Sequence, residues 1–170
     1  MPSKPILFSI DVGSRVSGIA VFEDTTLLDW SLVKVPTSRD PVDRCLMMCS
    51  AIETIVEGVL GKIEGERTVT IAVEVPSGQN RPWARGLITL GMAVGMIIAY
   101  LTALGYRVVT VSTAKWTRLD NPRCLAKAVR AKKIEKLFPT YDPTNDKSLD
   151  GADAIGMGAY FLGLFDNKEE

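Results

Sequence analysis

The stretch SIDVGSRVSGIAVFE, residues 9–23, decides the fold of this chain. An apolar run over residues 6–10 ends in Asp11, the letters VGSR follow, and an apolar strand pattern resumes over residues 17–22. Two apolar runs joined by a short segment that contains glycine predict a β-hairpin. Asp11 would then lie at the end of the first strand of that hairpin.

Beyond the hairpin, predicted helices and strands follow one another. Asp40 followed by Pro41 is typical of a helix start, and Gly61 is a suitable stop. Apolar residues recur between them at steps of three or four, namely Leu46, Cys49, Ile52, Val56 and Leu60. The other predicted elements are strands over residues 27–35, 68–74 and 106–111, an apolar helix over 87–104, a basic helix over 125–138 and a last helix over 152–164.

The order of these elements predicts the fold class. Three adjacent antiparallel strands followed by βα units describe an α/β fold with a mixed five-stranded sheet, three strands antiparallel and two parallel, flanked by helices. The chain of 170 residues is 46% hydrophobic and has no segment that resembles a linker or a repeat. We therefore expect residues 1–170 to form a single domain.

Composition narrows the function classes. The formal net charge is zero, so overall charge does not indicate a nucleic-acid partner. The chain has no His, and its three Cys lack CxxC spacing, which argues against a zinc site and against His-based catalysis. No signal-like stretch opens the sequence, so we expect a cytoplasmic location, in a bacterial cell or in the host cell of a phage.

One long stretch has the length of a membrane span. Residues 86–106 contain no charged side chain. The stretch lies in mid-chain between two predicted strands, and it contains Gly91 and Gly95. These features favour a helix that is buried in the core, or shared with a second subunit, over a helix that crosses a bilayer.

Four acidic residues form a candidate cation site: Asp11, Glu74, Asp150 and Asp153. Each also has an ordinary structural explanation. Asp11 could begin a turn, Glu74 could be a solvated residue at the end of a strand, and acidic residues such as Asp150 and Asp153 are favoured at the start of a helix. Asp150 and Asp153 are three residues apart and share one helix face. Together, the four would offer oxygen ligands, which hard cations such as Mg²⁺ prefer.

Three segments carry a family resemblance: the opening stretch, then AVEVPSGQ from Ala72, then LDGADAIGMGAYF from Leu149. They resemble the three acidic motifs of RuvC-type Holliday junction resolvases, which belong to the ribonuclease H-like, retroviral-integrase-like nucleases. The resemblance runs through nearly the whole chain. It implies a crossover junction endodeoxyribonuclease that cuts four-way DNA junctions by paired nicking, as a homodimer for which helix 87–104 is the candidate interface.

The same resemblance implies the roles of the acids. Asp11, Glu74, Asp150 and Asp153 would be catalytic and would bind metal, with two Mg²⁺ per active site and Mn²⁺ as a substitute. Two such ions roughly 4 Å apart can ionise the attacking water, stabilise the pentacovalent centre and stabilise the leaving oxygen. Without metal, clustered acids repel one another and their pKa values should rise.

Local charge supplies the expected DNA contacts. Residues 115–136 contain eight basic and two acidic side chains, enough to neutralise phosphates, although a solvated helix face would have the same composition. The segment VSTAKW resembles the family segment in which a lysine acts on the scissile phosphate, which implies that role for Lys115. The family's second active-site lysine could be Lys127, Lys132 or Lys133. Arg85 and Arg118 complete the predicted DNA-binding residues.

Aromatic residues raise a separate expectation. The loop GQNRPWAR lies where resolvases place residues that enter the junction, so the ring of Trp83 could stack on an unpaired base or simply pack in the core. Cellular members of the family place Phe shortly after the second acid, whereas this chain has Ser77 and Gly78. This departure and the short chain are compatible with a phage or viral member. Trp116 is the other aromatic side chain of interest.

Three alternatives stay open. The first is another ribonuclease H-like nuclease that acts on flap, branched or RNA–DNA hybrid substrates. The second is an actin-like ATPase or sugar kinase, whose phosphate loop resembles the segment around Asp11, although such proteins need two domains of this kind. The third is a protein that binds junctions without cutting them.

Overall fold

The computed structural model of the chain describes residues 4–37, 39–76, 84–117 and 126–165. Five strands and five helices occur in these ranges. The strands are β1 (Ile6–Asp11), β2 (Val16–Glu23), β3 (Thr26–Lys34), β4 (Val69–Val75) and β5 (Arg107–Ser112). The helices are α1 (Pro41–Leu60), α2 (Ala84–Ala103), α3 (Thr113–Trp116), α4 (Lys127–Leu137) and α5 (Asp150–Phe161).

The strands form one mixed sheet in the order β3-β2-β1-β4-β5. The pairs β1–β2 and β2–β3 are antiparallel, and β1–β4 and β4–β5 are parallel. The predicted fold class, with three antiparallel and two parallel strands flanked by helices, is therefore confirmed. Each parallel connection contains a long helix, as such crossovers require.

The two faces of the sheet carry different side chains. Because side chains alternate along a strand, Ile6, Phe8 and Ile10 of β1 point into a core with α1 and α2. Leu7 points to the opposite face, where a second core contains residues of α3, α4 and α5. Asp11 follows the period of Leu7, so the first acid belongs to the face that carries α5.

Helix α5 lies unusually close to the sheet. A methyl group added to Gly18 of β2 would lie 2.0 Å from the carbonyl oxygen of Asp150. One strand away, the Ser9 hydroxyl donates a hydrogen bond to the carbonyl oxygen of Ala154, at 2.7 Å. Small residues at these sheet positions therefore set the distance of α5 from the sheet and its position along the strands.

Helix α1 confirms most of the predicted pattern. The Asp40 carboxylate accepts a hydrogen bond from the Val42 amide at 2.8 Å, Pro41 is the first helical residue, and Gly61 follows the last turn. The prediction that Leu46 belongs to the buried stripe is wrong, because this residue is 54% exposed. The buried residues Cys45, Met48, Cys49, Ile52 and Val56 share one face, and Leu46 is rotated away from it.

Helix α2 is buried on one side only. Ala93, Val94, Ile97 and Leu101 contact the core, whereas Ile88 is 70% exposed. Of the two expectations for this helix, enclosure on all sides by the core of one chain is therefore wrong, and sharing with a second subunit stays a prediction. Residues 86–103 form one helix that is long and apolar enough to cross a membrane by length and composition. The core helix of a soluble protein can also meet those two criteria.

The chain after β5 differs in detail from the sequence prediction. The single turn α3 was not anticipated, because four residues leave no periodic pattern. The basic helix begins at Lys127 within the described part of the chain, so residue 126, predicted to be helical, precedes it; residue 125 lies outside the described residues. The last helix begins at Asp150, two residues earlier than predicted, and ends at Phe161.

Two glycine substitutions test the close approach of α5. We expect Gly18→Ala to destabilise the protein by about 3 kcal/mol, because the new methyl group collides with rigid backbone. In contrast, Gly58→Ala adds a methyl group to an open surface of α1 and should stabilise the helix by about 0.5–1 kcal/mol. Urea denaturation of both variants measures the difference. Equal effects of the two substitutions would contradict the packing described.

Candidate active site

Asp11 and Glu74 meet because β1 and β4 are parallel neighbours. Ile10 of β1 pairs with Val73 of β4, so the two acids follow at the same end of adjacent strands. Their carboxyl groups are close enough to interact. Burial raises the pKa of Asp11 well above its ordinary value, and the interaction with Glu74 and the negative charge of Asp153 raise it further.

Asp150 and Asp153 occupy the first turn of α5 on the same face of the sheet. Asp153 is buried and close enough to Asp11 for their charges to interact, whereas Asp150 is half-buried. The structure thus gathers all four predicted acids at one end of the sheet. Two come from the strands and two from the helix that packs on them.

The start of α5 depends on a residue that the sequence analysis missed. The buried carboxylate of Asp146 accepts hydrogen bonds from the Ala152 amide and from the Tyr141 hydroxyl, both at 2.9 Å. The structural alternative for Asp150, that it caps the helix, does not hold: Asp150 is the first helical residue, and Leu149 precedes the helix in a left-handed conformation, with φ of 59°. The turn-rich segment YDPTNDKS before the helix was a usable signal for Asp146.

Lys127 places an ammonium group between the two acids of α5. Its Nζ lies 2.5 Å from Asp150 Oδ1 and 3.0 Å from Asp153 Oδ2. Burial by itself would lower the pKa of Lys127, but the charge of Asp153 and the hydrogen bond to Asp150 outweigh it, so the pKa is raised. Of the three lysines left open by the sequence, Lys127 is therefore the one at the acids. Lys132 is exposed on α4, and Lys133 is half-buried.

Arg130 and Trp116 were not assigned to the site by the sequence, and both contact its acids. The Nε and Nη2 atoms of Arg130 lie 3.1 and 2.9 Å from Asp153 Oδ1. The Trp116 indole donates a hydrogen bond to Glu74 Oε1 at 3.2 Å. Burial raises the pKa of Asp153, and Lys127 and Arg130 oppose that rise. Both cations contact this carboxylate within 3.0 Å, which favours its ionised form.

The ligand atoms fit a hard divalent cation, but the side chains are not arranged as a finished metal site. Among the described residues, no group of three His, Cys, Asp or Glu side chains is placed to hold a metal ion. The four acids of the candidate cation site instead form two pairs, Asp11 with Glu74 on the strands and Asp150 with Asp153 on α5. The Lys127 ammonium lies between Asp150 and Asp153, where it makes contacts to carboxylate oxygens that a cation would make.

The other predicted site residues have different positions. Lys115 is exposed on α3, and within the described part of the chain it forms no ion pair with the four acids. Arg85 belongs to the first turn of α2. Trp83 and Arg118, together with Ser77 and Gly78, lie outside the described residues, so their predicted roles stay predictions.

Comparison with known proteins identifies the fold. No protein-family model matches the sequence, and no curated protein matches it. Among solved structures, RuvC of Thermus thermophilus in complex with a Holliday junction substrate has a TM-score of 0.69 at 14% identity, over 94% of this chain and 96% of that chain. A second T. thermophilus RuvC structure gives 0.68 at 15% identity, over 93% and 96%. The chain therefore has a RuvC-like fold over nearly its whole length.

The role of Asp146 can be tested against a nearby exposed Asp. Asp146→Ala should reduce the free energy of unfolding by about 3 kcal/mol, because it leaves a buried hydroxyl and a helix amide without their acceptor. Asp142 accepts hydrogen bonds from the Thr144 amide and hydroxyl but is exposed, so Asp142→Ala should cost much less. Thermal and urea unfolding measure both. A similar loss in the two variants would contradict the capping role.

Proposed function

We propose that this protein is a Mg²⁺-dependent, structure-specific endonuclease that resolves four-way DNA junctions by paired nicking. The observation that carries the proposal is the gathering of Asp11, Glu74, Asp150 and Asp153 at one end of a sheet with the RuvC-like fold. One of the solved proteins that share this fold is described in complex with a Holliday junction substrate. The proposal extends that substrate class to this chain.

The proposed chemistry follows from the side chains. Asp11, Glu74, Asp150 and Asp153 would hold the divalent cation, and Mn²⁺ would substitute for Mg²⁺. Bound Mg²⁺ would make an attacking hydroxide accessible at neutral pH and would stabilise the developing negative charge of the phosphate. The four carboxylates outnumber the two cations that contact them, which leaves negative charge for a metal to neutralise.

Lys127 would have two roles in this scheme. Without metal, its ammonium limits the repulsion between Asp150 and Asp153, which it contacts at 2.5 and 3.0 Å. With DNA bound, the same flexible side chain could turn toward a phosphate oxygen, since its side chain is 41% exposed. Its position beside the acids favours it over Lys132 and Lys133 for the second active-site lysine.

The proposed DNA surface continues from the acids along α3 and α4. Lys115, Lys132 and Lys136 are exposed on these helices and can contact phosphates on either side of the cleaved bond. Such contacts bind DNA without reading its sequence. Recognition of a junction would then depend on the spacing of two active sites.

A homodimer supplies that second active site. A four-way junction has near two-fold symmetry, and two equivalent cuts need two equivalent sites. The outward face of α2 presents exposed Ile88 with Gly91 and Gly95, which let another helix approach closely. Helix α2 connects β4 to β5, and its inner face is part of the core. It would have to leave the sheet in order to cross a bilayer. A second copy needs no such change.

Substrate choice is tested with purified protein, Mg²⁺ and matched synthetic DNA. We expect cleavage of a four-way junction at two symmetric positions, with much slower cleavage of linear duplex. Flap DNA and RNA–DNA hybrid belong in the same assay, because faster cleavage of either would favour the alternative nuclease. Equal cleavage of duplex and junction would contradict junction resolution.

The acid assignment is tested in that assay with Asp11→Asn. We expect the rate of junction cleavage to fall at least about 100-fold. Loss of a metal ligand should have a larger effect than the 10- to 100-fold effect of residues that support ligands. Asp29→Asn on β3 is the matched control, since Asp29 is exposed and its carboxylate accepts a local hydrogen bond from the Trp30 amide. Cleavage that survives Asp11→Asn would refute the proposed site.

The dimer is tested by analytical ultracentrifugation at micromolar concentration. We expect a dimer, and we expect Ile88→Glu to give a monomer, because it would bury a charge in the proposed interface. Leu28→Glu is the control, because Leu28 is an exposed apolar residue on the edge strand β3. A monomeric parent protein, both alone and on junction DNA, would contradict the homodimer.

A further inference from the structure

We infer that Arg130 and Trp116 act as one positioning unit that fixes the orientation of two of the four acids. Arg130 would fix Asp153 and Trp116 would fix Glu74, each through one carboxylate oxygen. The other oxygen of each acid then faces the proposed cation site. This inference rests on the proposed function, because it concerns how the chain orients acids toward a metal.

The two oxygens of Asp153 are divided between two cations. Arg130 directs Nε and Nη2 to the same oxygen, Oδ1. The other oxygen, Oδ2, faces the Lys127 ammonium at 3.0 Å. The side chains of Arg130 and Asp153 are only 7% and 4% exposed, so water competes little for these bonds. Rotation of the Asp153 carboxylate would break both Arg130 contacts, and the carboxylate is therefore held in one orientation.

Glu74 is held by a different kind of contact. The Trp116 indole has a single N–H group, and it points to Glu74 Oε1. Trp116 itself is 1% exposed, so its ring has little freedom to turn. The indole therefore limits the orientation of Glu74 directly.

Arg130 and Trp116 also contact each other. The guanidinium carbon of Arg130 lies 5.0 Å from the centroid of the Trp116 ring, a cation–π geometry. On α5, a methyl group added to Gly156 would lie 3.1 Å from Cζ3 of that ring. Gly156 is one turn beyond Asp153, so the indole fits between β4 and α5. Movement of either side chain would disturb the other.

The arrangement is more specific than core packing or charge balance requires. A phenylalanine could supply a buried aromatic ring in place of Trp116, and a lysine could neutralise Asp153, but neither could make these directed bonds. A buried ion pair is weak support for stability, because desolvation offsets its attraction. Side chains that hold ligand carboxylates commonly alter metal affinity by 10- to 100-fold. Trp116 and Arg130 have the contacts expected of such residues.

The test measures Mn²⁺ binding by calorimetry on the full chain without DNA. Trp116→Phe keeps an aromatic ring and removes the N–H donor of the indole. Arg130→Lys keeps the positive charge and removes the planar guanidinium with its two directed N–H groups. We expect each to weaken Mn²⁺ binding by about tenfold. Ile134→Val is the control, because Ile134 is buried on α4 one turn from Arg130. It should lower the melting temperature and leave the Mn²⁺ affinity of the folded protein unchanged.

The double variant tests whether the two side chains form a unit. If they do, the fold-loss of Mn²⁺ affinity in the variant with both Trp116→Phe and Arg130→Lys should be much smaller than the product of the two single fold-losses. Variants that fold and bind Mn²⁺ as tightly as the parent would overturn the positioning role and leave the proposed function intact. Losses that multiply would overturn the single unit. A parent protein that binds no Mn²⁺ would refute the metal site, and this inference with it.

Discussion

The structure depends on the close approach of α5 to strands β1 and β2. Gly18 leaves no room between its own backbone and the carbonyl of Asp150, and Ser9 bonds to α5 from the neighbouring strand. Asp11 and Glu74 are fixed by the sheet, so the position of α5 alone decides whether Asp150 and Asp153 reach them. An α5 that lay a methyl group farther away would keep the fold but would separate the two pairs of acids.

Sequence patterns were sufficient to predict the sheet, and the family resemblance was needed to group the four acids. Alternation and turn residues predicted all five strands, because a strand buried on one or both faces leaves an apolar run in the sequence. Asp11 and Glu74 could be predicted to meet because each ends an apolar run in a fold with parallel neighbours. The three-residue spacing of Asp150 and Asp153 predicted only that they share one helix face. Their place beside the strand acids was implied by the family resemblance.

The sequence could not reveal contacts that depend on packing between distant elements. Arg130 belongs to a basic segment whose members look alike in sequence, and only the docking of α4 against α5 separates it from the exposed Lys132. Trp116 lies in a single turn too short to leave a periodic pattern. Leu46 fits the same apolar spacing as Cys45, and the rotation of α1 on the sheet decides which of them is buried. Asp146 was missed because its partner, Ala152, lies beyond the local turn.

The two faces of the sheet differ in how many amino-acid substitutions they tolerate. On the face toward α1 and α2, large aliphatic side chains meet one another, and such cores accept many combinations of similar total volume. On the face toward α5, backbone meets backbone at Gly18, and a side chain there could be accommodated only by moving α5 away from the strand acids. Substitutions are therefore tolerated on the side of the sheet that packs against α1 and α2, and they are restricted on the side that packs against α5. A RuvC-like fold can then persist while most of its residues are replaced.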